Sequence, residues 1–199
     1  LTKEIQELFG ISKTSIRPRE LISAILKFRA ELLWFGGIGT YVKAESESHF
    51  DVGDKANDPI RVNASEIQVK VVGEGANLGC TQLGRIEFAA NGGKINTDAI
   101  DNSAGVDSSD HEVNIKILLD SVRQKGFLEE KSRNKLLAKM TDEVANLVLL
   151  HNYRQSQAIS QIHSQGFYTL DDQQQFIKML ERNKSLDRKV EFLPDDDAI

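Results

Sequence analysis

Ile67-Gln68-Val69-Lys70-Val71-Val72-Gly73-Glu74-Gly75-Ala76-Asn77 is the stretch on which the fold turns. Four β-branched residues in its first six positions favour an extended chain, and the glycines that follow stop it, so a strand is predicted over 67–72. Downstream, Leu83, Ile86 and Ala90 share one helical face until Gly92-Gly93, and Lys94-Ile95-Asn96 has the length of one more short strand. Upstream, Leu32-Leu33-Trp34-Phe35 is a continuous apolar run closed by Gly36-Gly37. It reads as a strand buried on both faces, with a buried helix end as the alternative. Strand and helix alternate, which predicts an α/β fold: a parallel sheet with flanking helices.

Further upstream, Pro18 opens a predicted helix with Leu21, Ile22, Ile25 and Leu26 at three- and four-residue spacing. Residues 43–66, rich in Glu, Asp, Ser and Asn, read as an exposed excursion. Asn102-Ser103-Ala104-Gly105 reads as a turn into a helix, and beyond Asp110 strand signals vanish. Val113, Ile117, Leu118 and Val122 make one helical stripe, and Leu136, Leu137 and Met140 a second, short helix. Thr141-Asp142-Glu143 reads as a capped start whose helix turns Val144, Leu147, Val148 and His151 inward. A last helix is expected over 171–183. The predicted organisation is thus an α/β part over 1–109 followed by an all-helical segment over 110–199. Because the chain enters a helical pattern directly at Leu1 and closes on Asp195-Asp196-Asp197, it is expected to be a piece of a longer protein.

The balance of 25 basic and 30 acidic residues gives a net charge of −5 and a pI near 5.5, which argues against a nucleic-acid grip or a polybasic membrane contact. No apolar run reaches the roughly 20 residues that span a bilayer. Cys80 is the only cysteine, so no internal disulfide forms; a small core residue in a reducing, cytoplasmic compartment is the expectation.

Several motifs bear on chemistry. Gly73-x-Gly75-x-x-x-Gly79 and Gly36-Gly37-Ile38-Gly39 follow strands, where backbone without side chains either admits a phosphate or simply turns tightly. Asn102 to Ser109 leads into a helix, where exposed amides and the hydroxyls of Ser108 and Ser109 either accept a carboxylate or cap the helix. The four histidines have no metal-ligand spacing along the chain, so no metal is expected. Asp51, Asp54 and Asp58 read as a solvated loop. Asp107, Asp110 and Glu112 are either an acid–base group or ordinary acids near a helix start.

The strings LLWFGGIGTYVKA at 32–44, VGDKANDPIRV at 52–62, KVVGEGANLG at 70–79 and GRIEFAANGGKINTDAIDNSAGVDSSDHEVNIKILL at 84–119 closely resemble the large bacterial NAD-specific glutamate dehydrogenases. Glu74-Gly75-Ala76-Asn77 and Asn102-Ser103-Ala104-Gly105-Val106 resemble the two loop motifs shared with the smaller glutamate dehydrogenases, with Ser103 and Ala104 in place of Ala and Gly. The resemblance implies a partial Rossmann-like sheet, the second half of a cofactor domain, and NAD as cofactor. Asn77, Asn102, Gly75 and Gly37 would then lie at the cofactor, and Ser109 at the side-chain carboxylate of glutamate or 2-oxoglutarate. It also implies ammonia as a reactant and a homo-oligomeric full-length protein. The family's catalytic lysine and aspartate belong to segments preceding the resembled region, so no residue here is expected to be catalytic. The rival expectation is a non-catalytic regulatory or interaction module of helices packed on a small α/β core.

Overall fold

The computed structural model describes residues 1–191, 193, 195 and 196; Asp197 of the acidic ending lies outside them. The elements in order are α1 (Lys3–Phe9), α2 (Pro18–Leu26), β1 (Leu32–Phe35), β2 (Val42–Lys43), α3 (His49–Val52), β3 (Val62–Asn63), β4 (Val71–Glu74), α4 (Gln82–Ala90), β5 (Lys94–Ile95), α5 (Asp98–Asp101), α6 (Ser103–Gln124), α7 (Glu130–Gln165) and α8 (Leu170–Arg182). Contacts divide the chain into two compact units, one of Leu1–Asp98 with Asp171–Ile199, the other of Ala99–Leu170. The expected division at 109 falls inside α6, a continuous helix.

In the first unit β1, β4 and β5 form a parallel sheet in the order β1-β4-β5, with Leu32 opposite Val71, Phe35 opposite Glu74 and Val72 opposite Ile95. Parallel neighbours need a crossover, and α4 supplies it between β4 and β5. Thr81 caps α4, its hydroxyl accepting from the Gly84 amide at 2.9 Å. Leu26, Phe35, Val42, Val62, Ala64, Val69, Val72, Cys80 and Phe88 make the core.

Several expectations are corrected. β4 begins at Val71 rather than Ile67, because pairing starts only where β1 offers a partner: the Val71 amide donates to Glu31 O at 3.0 Å. β1 is not buried on both faces. It is an outer strand of the described sheet, and Leu32 and Trp34 are 53% and 58% exposed while Phe35 is 5% exposed, the period-two pattern of a sheet covered on one face. Residues 43–66 are not a wholly exposed excursion. They hold the small parallel sheet β2-β3 and contribute Ala44, Val62 and Ala64 to the interior, with the Arg61 side chain enclosed by Thr40 O, Asp54 O and Asp58.

In the second unit α6 and α7 form an antiparallel hairpin. α7 runs unbroken for 36 residues, so Thr141 caps nothing; its hydroxyl donates back to Leu137 O at 3.4 Å. The inward face of α6 carries Ile115, Leu119 and Val122, whereas Val113, Ile117 and Leu118 are exposed. Apolar residues surround much of this helix, and packing against α7 selects a face that shares only Val122 with the stripe read from periodicity.

Candidate functional site

The carboxyl edge of the three-stranded sheet gathers three of the residues singled out from sequence. Because β1 and β4 are parallel and in register at Phe35 and Glu74, Gly36-Gly37 and Gly75-Ala76-Asn77 leave from the same edge. The Ala76 amide donates to Phe35 O at 3.0 Å, and the Leu78 amide to Asp98 Oδ2 at 2.8 Å, just past β5. The 75–79 loop is thereby tied to the ends of both neighbouring strands. Asn77 is exposed at its crest, and Leu78 takes a left-handed backbone, φ 65°.

Beneath the crest is an ion pair that sequence reading missed. Glu74 has no exposed surface, and its carboxylate accepts from Arg85 Nε at 2.6 Å, Arg85 Nη2 at 3.0 Å and the Cys80 amide at 3.0 Å. Arg85 also reaches Asp98 Oδ2 at 3.3 Å. Burial by itself would lower the Arg85 pKa, but the hydrogen bond to Glu74 and the charges of Glu74 and Asp98 outweigh it and raise it. Burial, and then the charge of Glu74, push the Cys80 thiol well up, so it stays protonated and is a core residue rather than a nucleophile. The available sequence signal was a carboxylate inside a strand followed by an arginine on the helix that packs behind it.

The two glycine clusters differ in cause. A Cβ on Gly73 or Gly75 would come within 2.5 Å of the Trp34 indole, so these glycines are required by the ring lying across β4. A Cβ on Gly36 or Gly37 would meet no atom within 4 Å, and neither residue has positive φ. Nothing in the packing of the described residues demands glycine at those two positions. A cavity of about 870 Å³ lies at the opposite, amino-terminal edge of the sheet, lined by Leu32, Val69, Val71, Phe88 and Lys94 among others, away from these loops.

In the second unit Asn102 immediately precedes α6, with its carboxamide where a Cβ on Gly105 would stand, 2.5 Å from Oδ1. Asn152, which sequence reading did not single out, reaches from α7 to Ile100 O and Ser103 Oγ, 2.8 Å each, and fixes this helix start. Ser109 is exposed in the second turn of α6, and Ser108 is half-buried beside it. Because the helix begins at Ser103, neither serine is a cap, which removes one of the two readings left open by the sequence. The structure also brings Asp107, His111 and His151 together, which spacing along the chain did not reveal.

The model of the family described as bacterial NAD-glutamate dehydrogenase, catalytic domain, matches residues 1–162. Three curated proteins named NAD-specific glutamate dehydrogenase match the whole chain: those of Halomonas elongata at 51% identity, Pseudomonas aeruginosa at 53% and Mycobacterium tuberculosis at 48%. The chain spans only 12% to 13% of the length of these relatives.

Proposed function

We propose, from the premise that this chain belongs to the bacterial NAD-glutamate dehydrogenase catalytic-domain family, that it forms part of the site of an enzyme oxidising glutamate to 2-oxoglutarate and ammonia. The observation that carries the reading is the convergence of Gly37, Gly75 and Asn77 on the carboxyl edge of a parallel sheet, where open α/β sheets receive nucleotides. The fit to NAD is favourable on this side: Gly36 and Gly37 present bare backbone with no internal reason for it, and Asn77 is an exposed residue of the neighbouring loop. NAD, when bound, supplies the hydride acceptor.

This chain's own contribution is to bind and orient. In the first unit Asn77 binds the cofactor, with Gly37 and Gly75 giving it backbone access; in the second unit the family resemblance assigns Asn102 to the cofactor and the Ser109 hydroxyl to the distal carboxylate of glutamate. The Glu74–Arg85 pair keeps Asn77 in place. Proton transfer is assigned to no residue here, since the lysine and aspartate that the family resemblance implies precede the resembled region. The full-length protein is proposed to be a cytoplasmic homo-oligomer that engages neither nucleic acid nor membrane; no helix among the described residues is long and apolar enough to cross a bilayer.

The test is glutamate-dependent formation of reduced nicotinamide by the full-length protein, compared with its Asn77→Ala and Ser109→Ala variants. Asn77→Ala is expected to raise the KM for NAD about fivefold, the equivalent of one neutral hydrogen bond of about 1 kcal/mol. Absence of turnover by the unmodified protein with either nicotinamide cofactor would instead favour a regulatory or interaction module.

A further inference from the structure

We propose that Asp107, His111 and His151 form a binding site for a divalent transition metal ion of the zinc type on the paired faces of α6 and α7. Asp107 and His111 stand four residues apart on one face of α6, and His151 meets them from α7. One ligand atom from each, two imidazole nitrogens and a carboxylate oxygen, lies within 4.8 Å of the others. His151 Nδ1 is 2.8 Å from Asp107 Oδ2, His111 Nε2 is 3.4 Å from Oδ1, and the two rings stack at 5.7 Å and 29°. Ligands about 2.0–2.1 Å from a tetrahedral zinc stand roughly 3.3 Å apart, so movements of a few tenths of an ångström to about an ångström and a half complete the site.

A plain hydrogen-bonded triad accounts for only part of this arrangement. His151 has its hydrogen bond to Asp107, but His111 Nε2 is enclosed by protein and makes no hydrogen bond, its 3.4 Å contact with Oδ1 lacking the geometry of one. A cation between the rings and the carboxylate satisfies that nitrogen. Two imidazoles with one carboxylate select zinc, cobalt or nickel over magnesium and calcium, which prefer all-oxygen shells. Three protein ligands also leave a position for water or an incoming anion, and the side chains are about one quarter to one third exposed, so solvent reaches them. The neighbouring Asn152 anchors α7 to the start of α6, which holds His151 in place before any ion arrives. None of this depends on the reaction proposed above.

The test uses the full-length protein stripped of metal and titrated with Co²⁺, whose visible d–d bands report nitrogen and oxygen ligation. The unmodified protein should take up one more equivalent than His111→Gln, His151→Gln or the double variant, with the corresponding band lost in each. Equal uptake by all four overturns the proposal. A measurement on the unmodified protein alone guards against variants that fail to fold. Zn²⁺ at ten times its dissociation constant should slow amide exchange in peptides covering 103–124 and 144–160 about tenfold, and no slowing there overturns the site.

Discussion

Removing the Arg85 guanidinium, as in Arg85→Met, leaves the fully enclosed Glu74 carboxylate without its arginine partner. Two charge-assisted hydrogen bonds, at 2.6 and 3.0 Å, disappear together. Loss of one partner of a buried pair costs about 3–5 kcal/mol, because the surviving charge loses its counter-ion in a poorly polarisable interior. At 1.36 kcal/mol per factor of ten, opening of the segment around Glu74 becomes roughly two to four orders of magnitude more frequent. Hydrogen exchange of the peptide covering 70–90 in the full-length protein reads this directly, since those amides open with the loop. The double variant Glu74→Gln/Arg85→Met removes the stranded charge and should recover most of the loss, a coupling that only a direct interaction produces. Exchange in Arg85→Met within tenfold of the parent, or a double variant no better than the single, would refute the view that this pair holds the Asn77 loop.

Three further outcomes are expected. Ser109→Ala should lower kcat/KM for glutamate ten- to a hundredfold through loss of a hydrogen bond to a charged acceptor worth about 1.5–3 kcal/mol; because Ser109 lies past the first turn of α6, the melting temperature should stay unchanged, and a drop in stability without a kinetic effect would contradict the assignment. Gly75→Ala should destabilise by about 1–3 kcal/mol through collision with the Trp34 indole, whereas Gly37→Ala should leave stability intact and weaken NAD binding, as thermal unfolding with and without NAD would separate. The Asn57 carboxamide first, then the Thr40 amide, hold the Asp54 carboxyl below its ordinary value, against the opposing effect of burial. A depressed folded pKa gives stabilisation that is complete above the unfolded value, about 3.9, and lost as pH falls through the folded one. Pepsin cleavage within 40–61 should therefore rise below about pH 4, and Asp54→Asn should abolish that dependence.

The parallel sheet was legible because its strands are β-branched or apolar runs stopped by glycine, a local signal at Leu32–Phe35 and Val71–Glu74 alike. The extent of β4 was not, since it is set by the four residues of β1 that it pairs with. Asn77 and Gly37 could be placed at one sheet edge from strand order alone. Glu74–Arg85, Asn152 and the His111–His151 pair could not. Each joins positions eleven to fifty-two residues from their partners, and composition around a single residue carries no trace of a contact that the crossover or the hairpin creates. The break in α7 expected at Thr141 shows the converse error: a hydroxyl followed by acids marks a helix start only when the preceding turn is not already helical.

The loop that presents Asn77 is joined to β1 through Ala76, to the residue after β5 through Leu78, and to α4 through Glu74. With three such tethers it moves as part of the sheet rather than as a flap. The cofactor proposed to bind there would meet a surface whose ordering entropy was lost on folding, so little of its affinity would be consumed in ordering the loop. Substitutions in 74–79 should therefore alter the affinity of the proposed cofactor through lost contacts rather than through a change in the order of the loop.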